Sequence, residues 1–422
     1  TTLPLVATLV TTWYGGINEI GIEVINYGLV TWLYFGGFYY LAAFIYSIHI
    51  APRLIDKGYQ SIPIAILDNY GKTPAIISLI ILFLYLLPSP YILILGQLIS
   101  QIFNIVDINV AMLIGVILSC IYTLKGGFKS IIRTDKIQFV FMFCGFSLLF
   151  LTLLFSKDYG ISVLFDLFER NPEMLSIPGQ HNWSYILVWG FFALATFIDP
   201  NFNQRVFAGK NLKTVKNSIK WAILCWFIFD MMTITSALFY FEIFKLDSSS
   251  IQNINSPYVE LAFHVFSDNS IFLGLFFMSL LSVVMSTIDS YTFLAAVTLQ
   301  NDSSIIINKK TNISHIRYTI IFVLCLSLII TFFFSRAIEM WYFFGTLMIT
   351  TILIPMLCIL FNIKLYKVGP LMLSSLFVTI MWEFFIYQKG IYFLPSLYVG
   401  LFINSIFIFY SKIKYLLCKK GS

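Results

Sequence analysis

The chain has 422 residues, of which 59% are apolar and only 11% charged, and its mean hydropathy is +0.88. A water-soluble domain carries about a quarter charged residues, so this composition excludes a soluble globule. The net charge of +6 matters less for its size than for where it falls along the chain.

The apolar residues come in stretches of about 20, the length a helix needs to cross about 30 Å of hydrocarbon, and they lack the alternation of a transmembrane barrel. The chain therefore reads as an all-α polytopic membrane protein. Apolar runs between polar breaks predict twelve crossings, at about 3–28, 30–51, 75–103, 109–126, 134–156, 183–206, 215–243, 270–299, 316–336, 338–363, 368–388 and 391–411. The first run has no basic leader and reads as a span rather than a cleaved signal. The chain starts without Met, which leaves room for a preceding piece.

Twelve crossings put both termini on one side of the membrane. With the N-terminus cytoplasmic, the inside connections and tail hold 21 of the 26 Lys and Arg, Arg205 among them, and only Lys157, Arg170, Lys245, Arg336 and Lys389 lie outside. The positive-inside rule selects this orientation and accounts for the basic runs without any nucleic-acid partner; the expected location is a bacterial cytoplasmic (inner) membrane. The connections at about 157–182 and 244–269 are long enough to form lids but not catalytic domains.

Ionisable side chains inside a bilayer are expensive and point to functional positions. Glu19, Glu23, Asp135, Asp199, Asp230 and Asp289 fall in the predicted spans with no basic partner on their own helices, so a cation is the expected partner. Trp13-Tyr14-Gly15-Gly16 in the first span, and Gly190 with Asp199-Pro200 in the sixth, are helix-breaking signals that free backbone carbonyls at membrane depth. Interrupted helices five spans apart point to an inverted-repeat transporter with its sites at the breaks.

The eighth span carries Val283-Val284-Met285-Ser286-Thr287-Ile288-Asp289-Ser290. Ser286, Asp289 and Ser290 share a helix face, and the Thr287 hydroxyl lies beside the Val283 carbonyl one turn earlier. Such a set of mostly neutral oxygens suits a hard monovalent cation, and it equally suits hydrogen bonding between helices. The six cysteines are scattered singly, and His49, His181, His264 and His315 show no metal-binding or catalytic spacing, so the residues do not suggest an enzyme. A filter-like loop or charged ring, as in a channel, is also missing.

Three blocks resemble the sodium/solute symporter family in the order expected. They are Gly126-Gly127 followed after six residues by Thr134-Asp135 and then Gln138; Gln204-Arg205 with Ala208; and Met285-Ser286-Thr287. The resemblance implies a LeuT-like fold, a five-plus-five inverted repeat over residues 1–363, followed in 364–422 by two peripheral helices and a basic cytoplasmic tail. Many members have an additional N-terminal helix outside this core, which is expected to be missing from the present sequence.

Carried over by position, the sodium site uses the Thr11, Tyr14 and Val283 carbonyls and the Ser286 and Thr287 hydroxyls. A second cation site maps onto Asp135, Ser286, Asp289 and Ser290. Asp289 stands where the family pattern expects a hydroxyl, which admits either tighter cation binding or proton coupling. The solute pocket is expected at Trp13, Gly16, Ile17, Asn18, Phe192, Thr196, Trp226 and Asp230. The sugar-binding positions of sugar carriers hold Phe192 and Ala195, so an amino-acid-like or cationic solute is expected ahead of a sugar. The implied function is symport of a small solute with one or two sodium ions.

Overall fold

The structure is a computed structural model that describes residues 2–246, 254, 256–308, 313–387 and 394–420, all of them helical or irregular. Among these, nine helices are long and apolar enough to cross a bilayer, and Ile108–Ile121 and His315–Thr331 are shorter apolar helices. The protein is all-α. Large apolar side chains point outward along many of these helices, including Ile80, Ile117, Trp221 and Ile329, as lipid-facing surfaces require.

The first predicted span is two helices, α1 (Thr2–Trp13) and α2 (Ile17–Tyr27), joined by a tight turn over Tyr14–Gly16, where the glycine pair predicts a break. Next come α3 (Val30–Lys57), interrupted by wide turns at Leu33–Gly37 and Tyr46–Ile50, and a short α4 (Ile62–Tyr70). The third span, expected to be continuous over 75–103, is instead α5 (Lys72–Tyr85) and α6 (Ser89–Ile102). Pro88 and Pro90 explain the interruption, because neither can donate a backbone hydrogen bond.

Helix α7 (Ile108–Phe155) has 48 residues. Drawn straight it would reach about 72 Å, more than twice the hydrocarbon thickness. It is continuous where two separate spans, at 109–126 and 134–156, are expected, and its apolar stretches are Ile108–Ile121 and Ser130–Phe155. Both stretches contribute to one neighbourhood: Thr123 lies 3.0 Å from Asp289, and Asp135 accepts from Ser286 at 2.7 Å.

A connection containing α8 (Ser162–Arg170) leads to the sixth span, which is broken into α9 (Trp183–Phe192) and α10 (Pro200–Phe207). The break falls at Asp199-Pro200 as expected, whereas Gly190 stays within α9 with Phe38 packed over it. Asp199 caps α10 by accepting from the Asn201 backbone N–H at 2.7 Å. Then follow α11 (Leu212–Ile243), α12 (Pro257–Val265), α13 (Ser270–Val297), α14 (Ile313–Thr331), α15 (Ala337–Met348), α16 (Val368–Trp382) and α17 (Ser396–Lys420). Helix α13 runs on through a wide turn over Thr298–Asp302 to Ile306, and α15 continues to Leu360. The expected start of the last span, 391–393, and part of the connection at 244–269 lie outside the described residues.

Candidate functional site: a cavity between two helix breaks and an oxygen cluster beside it

The α1–α2 and α9–α10 breaks border one cavity of about 150 Å³. Trp13, Gly16, Phe192 and Thr196 line it, as the sequence predicts. Tyr39, Tyr91, Trp189, Tyr291 and Trp341 complete an aromatic wall, and Asp199, Asn201 and Arg205 supply polar groups. Tyr85 and Pro90 reach it from the α5–α6 break, a contribution that the two nearby prolines could have signalled.

Four expected lining residues stand elsewhere. Ile17 is fully buried, and Asn18 is tied to Gln97 at 3.1 Å and Ser256 at 2.7 Å. Trp226 lies behind Trp13, with ring centroids 5.1 Å apart. The Asp230 carboxylate accepts from the Tyr14 hydroxyl at 2.8 Å and from the Tyr40 hydroxyl, so two tyrosines take the place of a cationic solute group.

For Glu19 and Glu23 the partner is an arginine from another helix rather than the expected bound cation. One Arg336 nitrogen lies 2.5 Å from Glu19 and 2.8 Å from Glu23. Arg205, counted by sequence among the cytoplasmic residues, is 2% exposed and buried in the interior. Its guanidinium donates to Thr8, to Asn201, to Thr12 at 2.6 Å and to Ser290 at 3.0 Å, tying α1, α10 and α13 together. Its inclusion in the predicted sixth span was the signal that topology counting overrode.

The oxygen cluster lies where α1 unwinds against α13. Thr287 Oγ1 is 3.2 Å from the Thr12 carbonyl, 3.5 Å from that of Thr11 and 3.3 Å from that of Val283. A hydroxyl has one proton and can satisfy only one of them, so the group retains unused oxygen lone pairs, which is the donor chemistry of a sodium site. Tyr14 is a correction, since its carbonyl accepts the Ile17 backbone N–H and Thr12 stands in its place. Ser286 donates to Asp135 at 2.7 Å, as Thr8 also does, which sets Asp135 beside the cluster.

Of the expected second set, Asp135 and Ser286 are thus in direct contact, whereas Ser290 is taken by Arg205. Asp289 is 1% exposed, with one oxygen beside Thr123 and the other, Oδ2, without a hydrogen-bond partner among the described residues.

The family model described as the sodium:solute symporter family matches residues 1–380. The chain belongs to that family. This symporter is an integral membrane transporter, not an enzyme, and its coupling ion is sodium. Among solved structures, it is similar to a sodium-coupled sialic acid symporter in a substrate-bound, outward-open state, with 16% identity, 97% of this chain and 88% of that chain covered, and a TM-score of 0.76. A manganese transporter of Eremococcus coleocola is more distant, with 12% identity, 97% and 94% coverage and a TM-score of 0.54. These likenesses carry the LeuT-like fold. No curated protein matches.

Proposed function

We propose that this symporter imports a compact amino-acid-like or cationic nutrient, in preference to a sugar, by alternating access driven by sodium. The observation that carries this reading is the cavity between the helix breaks, walled by aromatic rings and adjoining the Thr287 oxygen cluster. Aromatic faces attract an organic cation by about 0.5–2 kcal/mol. A sugar needs a hydrogen-bond partner for each of many hydroxyls, and here the Arg205 donors are already taken.

Sodium is assigned to the Thr11, Thr12 and Val283 carbonyls with the Thr287 hydroxyl, and Ser286 links it to Asp135. At about 100 mV one inward sodium supplies roughly 2.3 kcal/mol, close to 50-fold accumulation. The unpartnered Asp289 oxygen favours a second ion near Asp135 and Asp289, and a proton is the alternative occupant there. We place the transporter core at 1–363, the peripheral helices at 364–422, and both termini on the cytoplasmic side of a bacterial inner membrane, as the basic connections favour.

A thermal-shift screen of amino acids, amines and sugars against the purified chain, with and without sodium, identifies the solute, and uptake into proteoliposomes tests coupling. Sodium-dependent accumulation of an amine or amino acid is expected. Stabilisation by sugars alone would overturn the substrate class.

A further inference from the structure

A second chamber, of about 350 Å³, lies on the far side of α10 from the aromatic cavity. Asn201, Phe202 and Arg205 face the cavity, whereas Pro200, Asn203 and Gln204 face the chamber. Its other polar walls come from Tyr59, Gln60 and Ser61, ahead of α4, and from the end of the eighth span, where Thr298, Asn301, Asp302 and Ser304 line it. Asp302 is 6% exposed and, among the described residues, is the one carboxylate lining the chamber.

The chamber is built to be wet. Asn203 is 3% exposed, its Oδ1 accepts from Tyr46 at 2.5 Å, and its Nδ2 has no partner among the described residues. A buried amide donor is rarely left unmade, and a cavity of this size accommodates water to satisfy it.

The chamber also continues the sodium-bearing face of α13. Thr287, Ser290, Leu294, Thr298 and Asn301 recur at three- and four-residue intervals, and the last three line the chamber. The wide turn over Thr298–Asp302 inserts an extra residue, bringing Asp302 beside Asn301 on the chamber wall. Thr287 and Asp302 are separated by about 22 Å of helix. Arg205 touches Ser290 between them, so a positive charge divides the two positions.

We propose that this chamber is a further, low-affinity monovalent-cation site centred on Asp302, distinct from the Asp135–Asp289 position, which receives hydrated sodium as it leaves the Thr287 cluster toward the cytoplasm. The proposal rests on the sodium assignment and orientation given above. One carboxylate among neutral oxygens and water gives a weak site, as an exit requires, because tight binding there would hold the ion back.

Sodium-23 line broadening by the purified full chain detects such weak, fast-exchanging binding, with choline chloride holding ionic strength constant. Wild type should broaden the line beyond the concentration that saturates the Thr287 cluster. Asp302→Asn should reduce that excess at least twofold, Asp302→Glu should restore it, and the double change Ser286→Ala with Thr287→Ala should leave it in place. Should Asp302→Asn fail to fold, Thr298→Val removes a chamber hydroxyl while keeping the side-chain shape, and a smaller loss is expected.

The competing role for Asp302 is structural, a tie to the Ser61 hydroxyl that caps α4. That role alone predicts lower thermal stability with unchanged broadening, which would overturn the proposal. Loss of the excess signal in the Ser286→Ala, Thr287→Ala variant would overturn it too, by merging the two sites. Failure of the sodium assignment itself reads differently, as wild type without saturable high-affinity sodium-22 binding.

Discussion

The backbone of Gly15 lies directly against the side chain of Thr287, so close that a methyl group on Gly15 would stand 2.5 Å from both Thr287 Cβ and Oγ1. The absence of a side chain lets the unwound first helix bring its carbonyls to the eighth. Gly15→Ala should push the two apart and raise the sodium concentration for half-maximal binding at least tenfold, while the chain still folds. Sodium-22 binding to the purified variant checks this, and wild-type affinity would show that the close approach is only packing.

Much of this arrangement was legible in the sequence because helix breakers act locally. Gly15-Gly16 and Asp199-Pro200 mark where carbonyls are freed, and the hydroxyls of Ser286 and Thr287 are read from helix periodicity. What was not legible depends on side chains from distant helices. Nothing near Asp230 announces that Tyr14 and Tyr40 hold it, and nothing near Glu19 announces Arg336, which follows more than 300 residues later. Arg205 was misassigned because a charge near the end of an apolar run is ordinarily a topology signal, whereas here a ring of oxygens from three helices compensates its burial.

Because Asp230 is satisfied by two tyrosines behind the cavity wall, Asp230→Asn should leave solute and sodium affinity within about twofold of wild type. It should instead lower stability by about 1–3 kcal/mol, the range for a disrupted buried hydrogen-bond network. Thermal unfolding and sodium binding on one preparation separate the outcomes. A selective loss of affinity for a cationic solute would return Asp230 to the transport path.

Arg205 calls for the opposite expectation from a surface basic residue. Removing it leaves Thr8, Thr12 and Ser290 without their shared donor and Asp135 without a nearby compensating charge. Arg205→Gln should destabilise the chain by about 3–5 kcal/mol. Arg205→Lys should rescue it poorly, since an ammonium cannot reproduce the planar fork. Thermal unfolding in detergent is the measurement, and a wild-type midpoint in either variant contradicts this role.

Asp289→Asn keeps the size of the side chain but removes its charge. If Asp289 and Asp135 share an ion, the variant should show a lower sodium Hill coefficient when that ion is sodium, or a flattened pH profile of sodium binding when it is a proton. Identical sodium and pH profiles in variant and wild type would make Asp289 a structural partner of Thr123 alone.

The central claim is that sodium binds where the first helix unwinds against the eighth, and equilibrium sodium-22 binding to the purified chain tests it most directly. Wild type should bind sodium saturably. The double change Ser286→Ala and Thr287→Ala removes two oxygens without adding polarity, and it should weaken that binding at least tenfold while leaving membrane insertion intact, with stability in sodium-free buffer lowered by about 1–3 kcal/mol because Asp135 loses its Ser286 donor. An unchanged isotherm in a folded double variant would contradict the assignment and place the coupling ion elsewhere in the fold.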